Sequence, residues 1–599
     1  MSATPTEHTV TESPPSVRVV VGYASLYTVT AVVLFRLGTV VPEPVGYLLL
    51  SVLFAIPILV AYRQGLPPRW ELLFLITTPL LPILVVIDPL ETGLYGYDAY
   101  SFTIPALELL RSGVPVGVFV NADGDWPLFY AVALVVQQLT GSSLGLLAKY
   151  LPLFVVLIPL LVYAGVDRLT HRRTAFYTGM AVASTRTLTL FETKLVDETV
   201  AVLLFFTAIT YLAVARAHRR ATVGLAIVLA GLVLSHHATS VFFLPLVGGL
   251  LLARLLGGLP ALPVLSSRLA PHRGDPFDIG IDGALLLGLG AGSVFVLLAP
   301  EVTAGLFDTA YGALFEGQQT ATSVETEGPG GGIFVVRGVT PRQLISRAAL
   351  VVFATMAGVT AGGVLSRYDI AHWELGWVGA AAVLAGLYLG SLVGGRVVPL
   401  SPLRILLFLV ATITPPSLSI LSRSKLVERL TPARLATPDE ERRARLGELI
   451  GIALVIGLIL TQIAAIDPHV LYTDPASTVT GEGHHTRAQF AASEWTAQYF
   501  SGALIGAERS LWVANDNNYR NPVHGAGSCL LLLTVWRPAF EEPRPQNVSV
   551  VYDSGDVVLT RSASDPYIPG TSSNTQITPT TNAGPPTCGT FQRANVAAA

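Results

Sequence analysis

The chain has 599 residues, of which 51% are hydrophobic and only 13% charged, with a mean hydropathy of +0.58. That balance excludes an ordinary soluble globular protein and indicates a polytopic membrane protein. A formal net charge of -3, with the basic residues in short clusters rather than along a groove, excludes nucleic acid as a partner.

Residues 1–17 are rich in Ser, Thr, Pro and Glu, lack the basic start of a cleaved leader, and read as a disordered cytoplasmic tail. From 18 to 466 apolar runs recur at the length a helix needs, about 20 residues for about 30 Å of hydrocarbon. Spans are expected near 19–36, 46–62, 71–88, 145–164, 174–191, 197–214, 221–235, 238–255, 282–299, 344–364, 373–395, 400–420 and 447–465. The stretch 127–140, "PLFYAVALVVQQLT", is apolar but short. Counting it as a span would scatter the basic loops "THRR" (170–173), "ARAHRR" (215–220) and 422–446 over both sides. Laid in the membrane plane, within a first large external loop over 89–144, it puts all three inside. The N-terminus is then cytoplasmic and the C-terminus external.

The tail agrees with that orientation. Cys529 and Cys588, the only cysteines, both lie after residue 466, as expected for one disulfide in an oxidising compartment. Asn547-Val548-Ser549 is a glycosylation sequon in the same segment. "RAQFAASEWTAQYF" (487–500) has helical periodicity, whereas "SLWVAN" (510–515), "CLLLLTVW" (529–536) and "NVSVVYDSGDVVLTRS" (547–562) read as strands, the last with a hairpin turn at Asp553–Asp556. The expected fold class is therefore a polytopic α-helical membrane protein of about 13 transmembrane helices. A small external α/β domain over 467–562 and a loosely ordered tail over 563–599 complete it. No internal repeat is visible, which counts against the inverted-repeat transporter folds.

A carboxylate at the centre of a membrane helix costs about 2.5–3.5 kcal/mol, so ionisable residues near spans need an interface or a polar cavity. Asp98, in "YGYDAYSF" (95–102), follows the third span on the external side. Glu192, Lys194, Asp197 and Glu198, in "FETKLVDET" (191–199), occupy the next external turn, between the fifth and sixth spans, and His236 and His237, in "LSHHATS" (234–240), the one after. Arg337 and Arg342 lie in a long external loop over 300–343 whose "EGPGGG" (327–332) reads as mobile. Acids, a paired imidazole and arginines on one membrane face suit a reaction on a lipid-linked phosphate. A carboxylate can take a proton from an acceptor hydroxyl, and Lys194, His236, His237, Arg337 and Arg342 can neutralise the phosphate. A divalent metal, Mg or Mn, held by Asp98 and a second acid would serve the same end.

Each group also has a structural reading: Asp98 as a helix cap, the 192–198 turn as an interfacial anchor, the histidines as part of a turn. Asp123 and Asp125 in "NADGDW" (121–126) read as a turn alone. The sequence holds no nucleophile elbow, P-loop, HExxH or CxxC. Without a nucleotide-phosphate cradle, a transferase would not draw its donor from cytosolic nucleotide sugars.

The order of motifs is "YGYDAYSF", then "DWPLFYAVAL" (125–134), then "LVYAGVDRLTHRR" (161–173), then "FETKLVDET". That order resembles the GT-C superfamily of integral-membrane glycosyltransferases, in particular archaeal and bacterial members that use polyprenyl-phosphate sugars. "GLVLSHHATSVFFLPL" (231–246) resembles a stretch of the archaeal members. The resemblance covers roughly residues 70–300, in order and spacing rather than strict identity. It implies a glycosyltransferase taking a sugar from a polyprenyl (dolichyl) phosphate to a lipid-linked glycan or protein acceptor at the external face of the cell membrane. It implies Asp98 as base or metal-supported positioner of the acceptor, and Glu192 or Asp197 as second acid. Two acids flank a lysine here, and the choice between them stays open. A transporter or flippase for a polyprenyl-linked glycan, with the same polar face and no chemistry, is the alternative from another class.

Overall fold

The computed structural model describes residues 14–37, 41–89, 127–194, 196–214, 219–258, 290, 344–345, 347–365, 372–393, 402–422, 440–466, 504–506, 531–534, 548–553 and 558–562. Described helices fall on every expected span except 282–299, which apart from Gly290 lies outside the described residues.

Helix α1 (Val17–Arg36) starts where Ser16 accepts a bond from the Val19 amide, the usual way of satisfying a first-turn donor. Helix α2 (Glu43–Gln64) begins after Pro42 and stops at Gly65, whose φ of 63° is the left-handed conformation that ends helices. Helix α3 (Pro68–Ile87) opens on the Pro67–Pro68 pair and closes on Asp88 at φ 45°. Next come α4 (Pro127–Thr140) and α5 (Leu144–Tyr150), which runs through a tighter 3₁₀ segment (Leu151–Leu157) into α6 (Ile158–Asp167). Pro152 and Pro159 sit at the two joins, where a missing amide costs least. The run expected as one span, 145–164, is thus one continuous helical run, Leu146–Asp167, that changes to 3₁₀ winding in its middle. Helices α7 (Arg172–Ala183), α8 (Asp197–Val214), α9 (Arg219–Ser235) and α10 (His237–Gly258) follow. The last four are α11 (Ala349–Leu365), α12 (His372–Val393), α13 (Pro402–Ser422) and α14 (Glu440–Ala465).

Among the described residues seven helices are long and apolar enough to cross a membrane: α1, α2, α3, the α5–α6 run, α12, α13 and α14. Shorter apolar helices at 128–140, 221–235, 239–253 and 349–363 pack with them. The protein is a multi-pass helical membrane protein. Helix α13 is almost wholly enclosed and α1 mostly exposed, so α13 is the axis of the bundle. Its Phe408 meets Phe205 of α8 edge-on at 4.6 Å and Phe242 of α10 at a tilt at 4.9 Å, spacings at which aromatic edges and faces attract. Where α10 meets α12, a Cβ on Gly249 would collide with the Gly376 carbonyl. Two glycines let these backbones touch, as small residues do between membrane helices.

Successive long helices alternate in direction, so their joints gather at two ends. At one end Arg172 Nε lies 2.9 Å from Glu71 Oε2, which also accepts from the Tyr163 hydroxyl at 2.8 Å. Arg172 also donates to the Leu66 carbonyl. Arg173 pairs with Glu448 at 3.1 Å. These bonds tie α3, α6, α7 and α14 together where the sequence reading placed the basic loop 170–173. The opposite end holds the α7–α8 and α9–α10 joints, the start of α13, and the start of α2, whose Tyr47 hydroxyl donates to the Ile466 carbonyl at 2.8 Å.

After the bundle, β1 (Leu504–Gly506), β2 (Leu531–Thr534), β3 (Val548–Asp553) and β4 (Val558–Ser562) form one sheet in the order β1-β2-β4-β3. Strands β3 and β4 are the expected antiparallel hairpin, with an irregularity between Val550 and Tyr552; β1 pairs parallel to β2. Strand β2 falls within the expected 529–536. The expected strand 510–515, the helix 487–500, Cys529, Cys588 and Asn547 lie outside the described residues.

Candidate active site

The turn "FETKLVDET" is built from the helix before it. Helix α7 loosens at Ser184 and Thr185, whose hydroxyls turn back to the carbonyls of Ala181 and Val182, both at 2.8 Å. A π-helical segment, Thr187–Phe191, then closes with the Glu192 amide on the Thr187 carbonyl at 3.0 Å. Such wide turns carry an extra residue around the axis and are frequent at functional positions. The Thr193 hydroxyl donates to the Thr189 carbonyl at 2.7 Å, and the Thr199 hydroxyl to the Lys194 carbonyl at 2.9 Å. The side chains' own hydroxyls therefore hold the turn, and Glu192 is fixed on a rigid support.

Glu192 is fully buried and Glu198 is 1% exposed. Among the described residues neither oxygen of Glu192 has a hydrogen-bond partner. Arg404, at the start of α13, reaches Glu198 with Nε 3.3 Å from Oε2. Burial and the nearby Glu198 charge push the Glu192 carboxyl well above the usual carboxylate range; the Arg404 charge acts the other way, and Asp197 adds to the rise. The cause is elementary: a carboxylate deprived of water and set beside a second carboxylate keeps its proton longer. Arg404 compensates one acid of the pair. Glu192 is left as a group able to hold or receive a proton.

Asp197 is spent differently. Its Oδ1 accepts from the Glu198 amide at 3.0 Å, and it opens α8 with its charge against the positive end of the helix dipole. Lys194 is buried within the same turn.

His236 stands between α9 and α10, at the same end of the bundle because α9 returns alongside α8. Its Nδ1 lies 2.8 Å from the Thr239 hydroxyl and accepts from the Thr239 amide at 3.3 Å. That is an N-cap on the third amide of α10. The side chain of His237 lies outside the described residues, as do Asp98, Arg337 and Arg342.

Two arginines at this end were absent from the sequence reading, Arg404 and Arg186. Each is a lone cation inside an apolar run, "PLRILL" and "STRTLTL". That was the available signal, since such residues in membrane helices mark function or a partner. No group of three or more His, Cys, Asp or Glu able to hold a metal ion occurs among the described residues. Beside Glu192 and Glu198 the compensating charge is the Arg404 guanidinium, so these described side chains do not form a metal site. The expected ligand Asp98 lies outside them.

No protein-family model matches the chain, and no curated protein matches it. Among solved structures it is similar to the apo oligosaccharyltransferase of Archaeoglobus fulgidus, with 14% identity over 79% of this chain and 64% of that one, at a TM-score of 0.40. The chain thus spans a little under two thirds of that enzyme's length. The same oligosaccharyltransferase in complex with Zn and sulfate matches with 12% identity over 76% of this chain and 59% of that one, at a TM-score of 0.37. ArnT from Cupriavidus metallidurans, bound to undecaprenyl phosphate, matches with 14% identity over 83% of this chain and 98% of that one, at a TM-score of 0.44.

Proposed function

We propose that the chain is an inverting GT-C-type glycosyltransferase of about thirteen crossings, which moves a sugar from a polyprenyl (dolichyl) phosphate to an acceptor hydroxyl on a lipid-linked glycan or protein. The observation that carries this reading is Glu192: a buried carboxyl with no hydrogen-bond partner among the described residues, on a π turn, beside the Glu198–Arg404 pair. A buried polar group left unpaired costs stability and persists where chemistry uses it. The motif order that resembles the superfamily runs through this same turn.

In the proposed reaction the acceptor oxygen attacks the anomeric carbon of the donor sugar. The bond from that carbon to the phosphate oxygen breaks, and polyprenyl phosphate leaves with the bonding pair. Configuration at the anomeric carbon inverts. The hydroxyl proton passes to a carboxylate, Asp98 in this reading, and Glu192 rather than Asp197 is the second acid, because Asp197 is engaged at the helix start. A carboxyl with a raised pKa exchanges protons nearer neutral pH, where general acid–base catalysis is most effective. Arg404 holds Glu198 in place. Lys194, His236 and His237 are assigned to the donor phosphate, and Arg337 and Arg342 to closing over it from their loop. A divalent metal, if bound, would rest on Asp98; no step here is routed through it. The site faces the cell exterior, with the N-terminus cytoplasmic and the C-terminal sheet outside, and lipid carries both donor and acceptor to it.

Membranes carrying Asp98→Asn or Glu192→Gln, supplied with labelled dolichyl-phosphate sugar, test the assignment. Both variants should lose transfer while the wild type turns over. Wild-type rates in both would overturn it.

A further inference from the structure

Gln462 lies near the external end of α14 and is only 2% exposed, and its Oε1 is buried with no hydrogen-bond partner among the described residues. Its neighbours along the helix, Val455, Leu458, Ile459 and Ile463, are buried and apolar. A buried amide in a membrane helix ordinarily bonds across to the next helix. One left without such a bond marks a place where a partner arrives from outside the chain. The hydroxyls nearby are already used: Ser184 and Thr185 donate to the carbonyls of Ala181 and Val182, and Thr461 to that of Leu458.

Contacts with two neighbouring helices place the amide. Near the start of α14, Glu448 meets Arg173 and Tyr177 of α7. Two heptads on, Gln462 comes round to nearly the same face, about 21 Å further toward the external end, level with Thr187 where the π segment begins. On the other side, a Cβ on Gly451 would press against Leu418 of α13 at 2.8 Å. Because α13 and α14 run in opposite directions, Gln462 falls level with Leu407, about one turn inward of Arg404. It therefore lies at the floor of the end that holds Glu192 and the Glu198–Arg404 pair.

We propose that Gln462 recognises one hydroxyl of the transferred sugar and so sets which sugar the site accepts; this rests on the transferase function proposed above. A carboxamide carries an acceptor and a donor side by side and no charge. That matches a sugar hydroxyl, which gives and receives a hydrogen bond through one atom, and not a phosphate. In the proposed reaction the acceptor comes in against Asp98, so the group that lies deeper, a turn inward of Arg404, is the sugar carried by the donor. A sugar without that hydroxyl leaves the buried amide unpaired and is rejected for that reason.

The test measures binding to the full chain in nanodiscs. The probes are undecaprenyl phosphate carrying glucose, mannose or galactose, the monodeoxy derivatives of whichever sugar binds best, and bare undecaprenyl phosphate. The wild type should bind one sugar-bearing lipid at least about tenfold more tightly than the bare phosphate, and should lose about that factor when one particular hydroxyl is removed. Gln462→Leu should bind the parent and that one deoxy derivative equally, while its discrimination at the other hydroxyls and its affinity for the bare phosphate stay as in the wild type. Gln462→Asn, whose amide is one methylene shorter, should keep part of the discrimination. An amide that only supports the fold, or only holds a trapped water, would shift affinity for every probe together or for none, and either result overturns the proposal. So does a wild type that binds all the sugar-bearing lipids as it binds the bare phosphate. Should Gln462→Leu fail to fold, Gln462→Asn carries the test, and full discrimination in that variant overturns the proposal. Hydroxyl-specific discrimination lost in Gln462→Leu, in a wild type that transfers no sugar, would sustain the hydroxyl site while overturning the transferase reading. A wild type that transfers sugar while Gln462→Leu discriminates as the wild type does would do the reverse.

Discussion

Arg404 Nε lies 3.3 Å from Glu198 Oε2, joining the first turn of α13, the enclosed axis of the bundle, to the first turn of α8. The bond anchors one acid of a buried pair and leaves the other, Glu192, with a raised pKa. Breaking it strands a buried carboxylate. Arg404→Gln is expected to destabilise the chain by about 1–3 kcal/mol, at the low side of buried pairs because Arg404 is 31% exposed. Thermal unfolding measures the loss. Adding Glu198→Gln should recover most of it, since a neutral pair needs no counter-charge; a double mutant as unstable as the sum of its parts would show that the two residues are not coupled.

The two acids called at the turn have separable roles. Glu192→Gln should lower transfer by about 10²–10⁴, the range for loss of a positioned proton-transfer group, with little effect on donor binding. Asp197→Asn should cost about 0.5 kcal/mol at the start of α8 and leave turnover near wild type. Single-turnover rates on both variants decide it, and the reverse ranking would move the role to Asp197.

Stability should depend on pH through Glu192. Its carboxyl, ordinarily near 4.5, is raised in the folded chain, so the folded state holds the proton more tightly than the unfolded state does. The resulting stabilisation is fully present below the ordinary value and is lost as pH rises through the raised one. Thermal scans upward from about pH 5 should show a declining midpoint in the wild type, and Glu192→Gln should flatten that decline. An identical slope in both would remove Glu192 as its source.

His236 caps α10 through Nδ1. His236→Ala should cost about 1 kcal/mol, and His236→Asn, which caps equally well, should recover it. If donor affinity returns along with stability in His236→Asn, the imidazole acts only through the cap. If affinity stays low while stability returns, it also touches the donor.

Much of this architecture is legible in the amino-acid sequence. Helix α8 matches its expected bounds because two acids at its first turn mark the start and an unbroken apolar run follows. The β3–β4 hairpin was legible from alternating apolar residues around a turn of Asp, Ser and Gly. The turn 191–199 was legible as a cluster of charge between spans. Its wiring was not, because Arg404 and Glu198 meet through long-range packing of α13 against α7 and the π segment, which no local pattern encodes. Nor was the 3₁₀ stretch inside 145–164, since hydropathy does not register a change of helix type beside Pro152 and Pro159. His236 was read as a candidate contact, and its capping geometry shows what else a histidine before a helix can do.

The central claim is cleavage of a sugar–phosphate bond, and reconstituted vesicles test it most directly. The full chain, given polyprenyl phosphate carrying a labelled sugar and an acceptor glycolipid, should release free polyprenyl phosphate and yield a product of inverted anomeric configuration. Labelled sugar that crosses the bilayer still joined to its polyprenyl phosphate, with no bond cleaved, would contradict the account and make the chain a flippase.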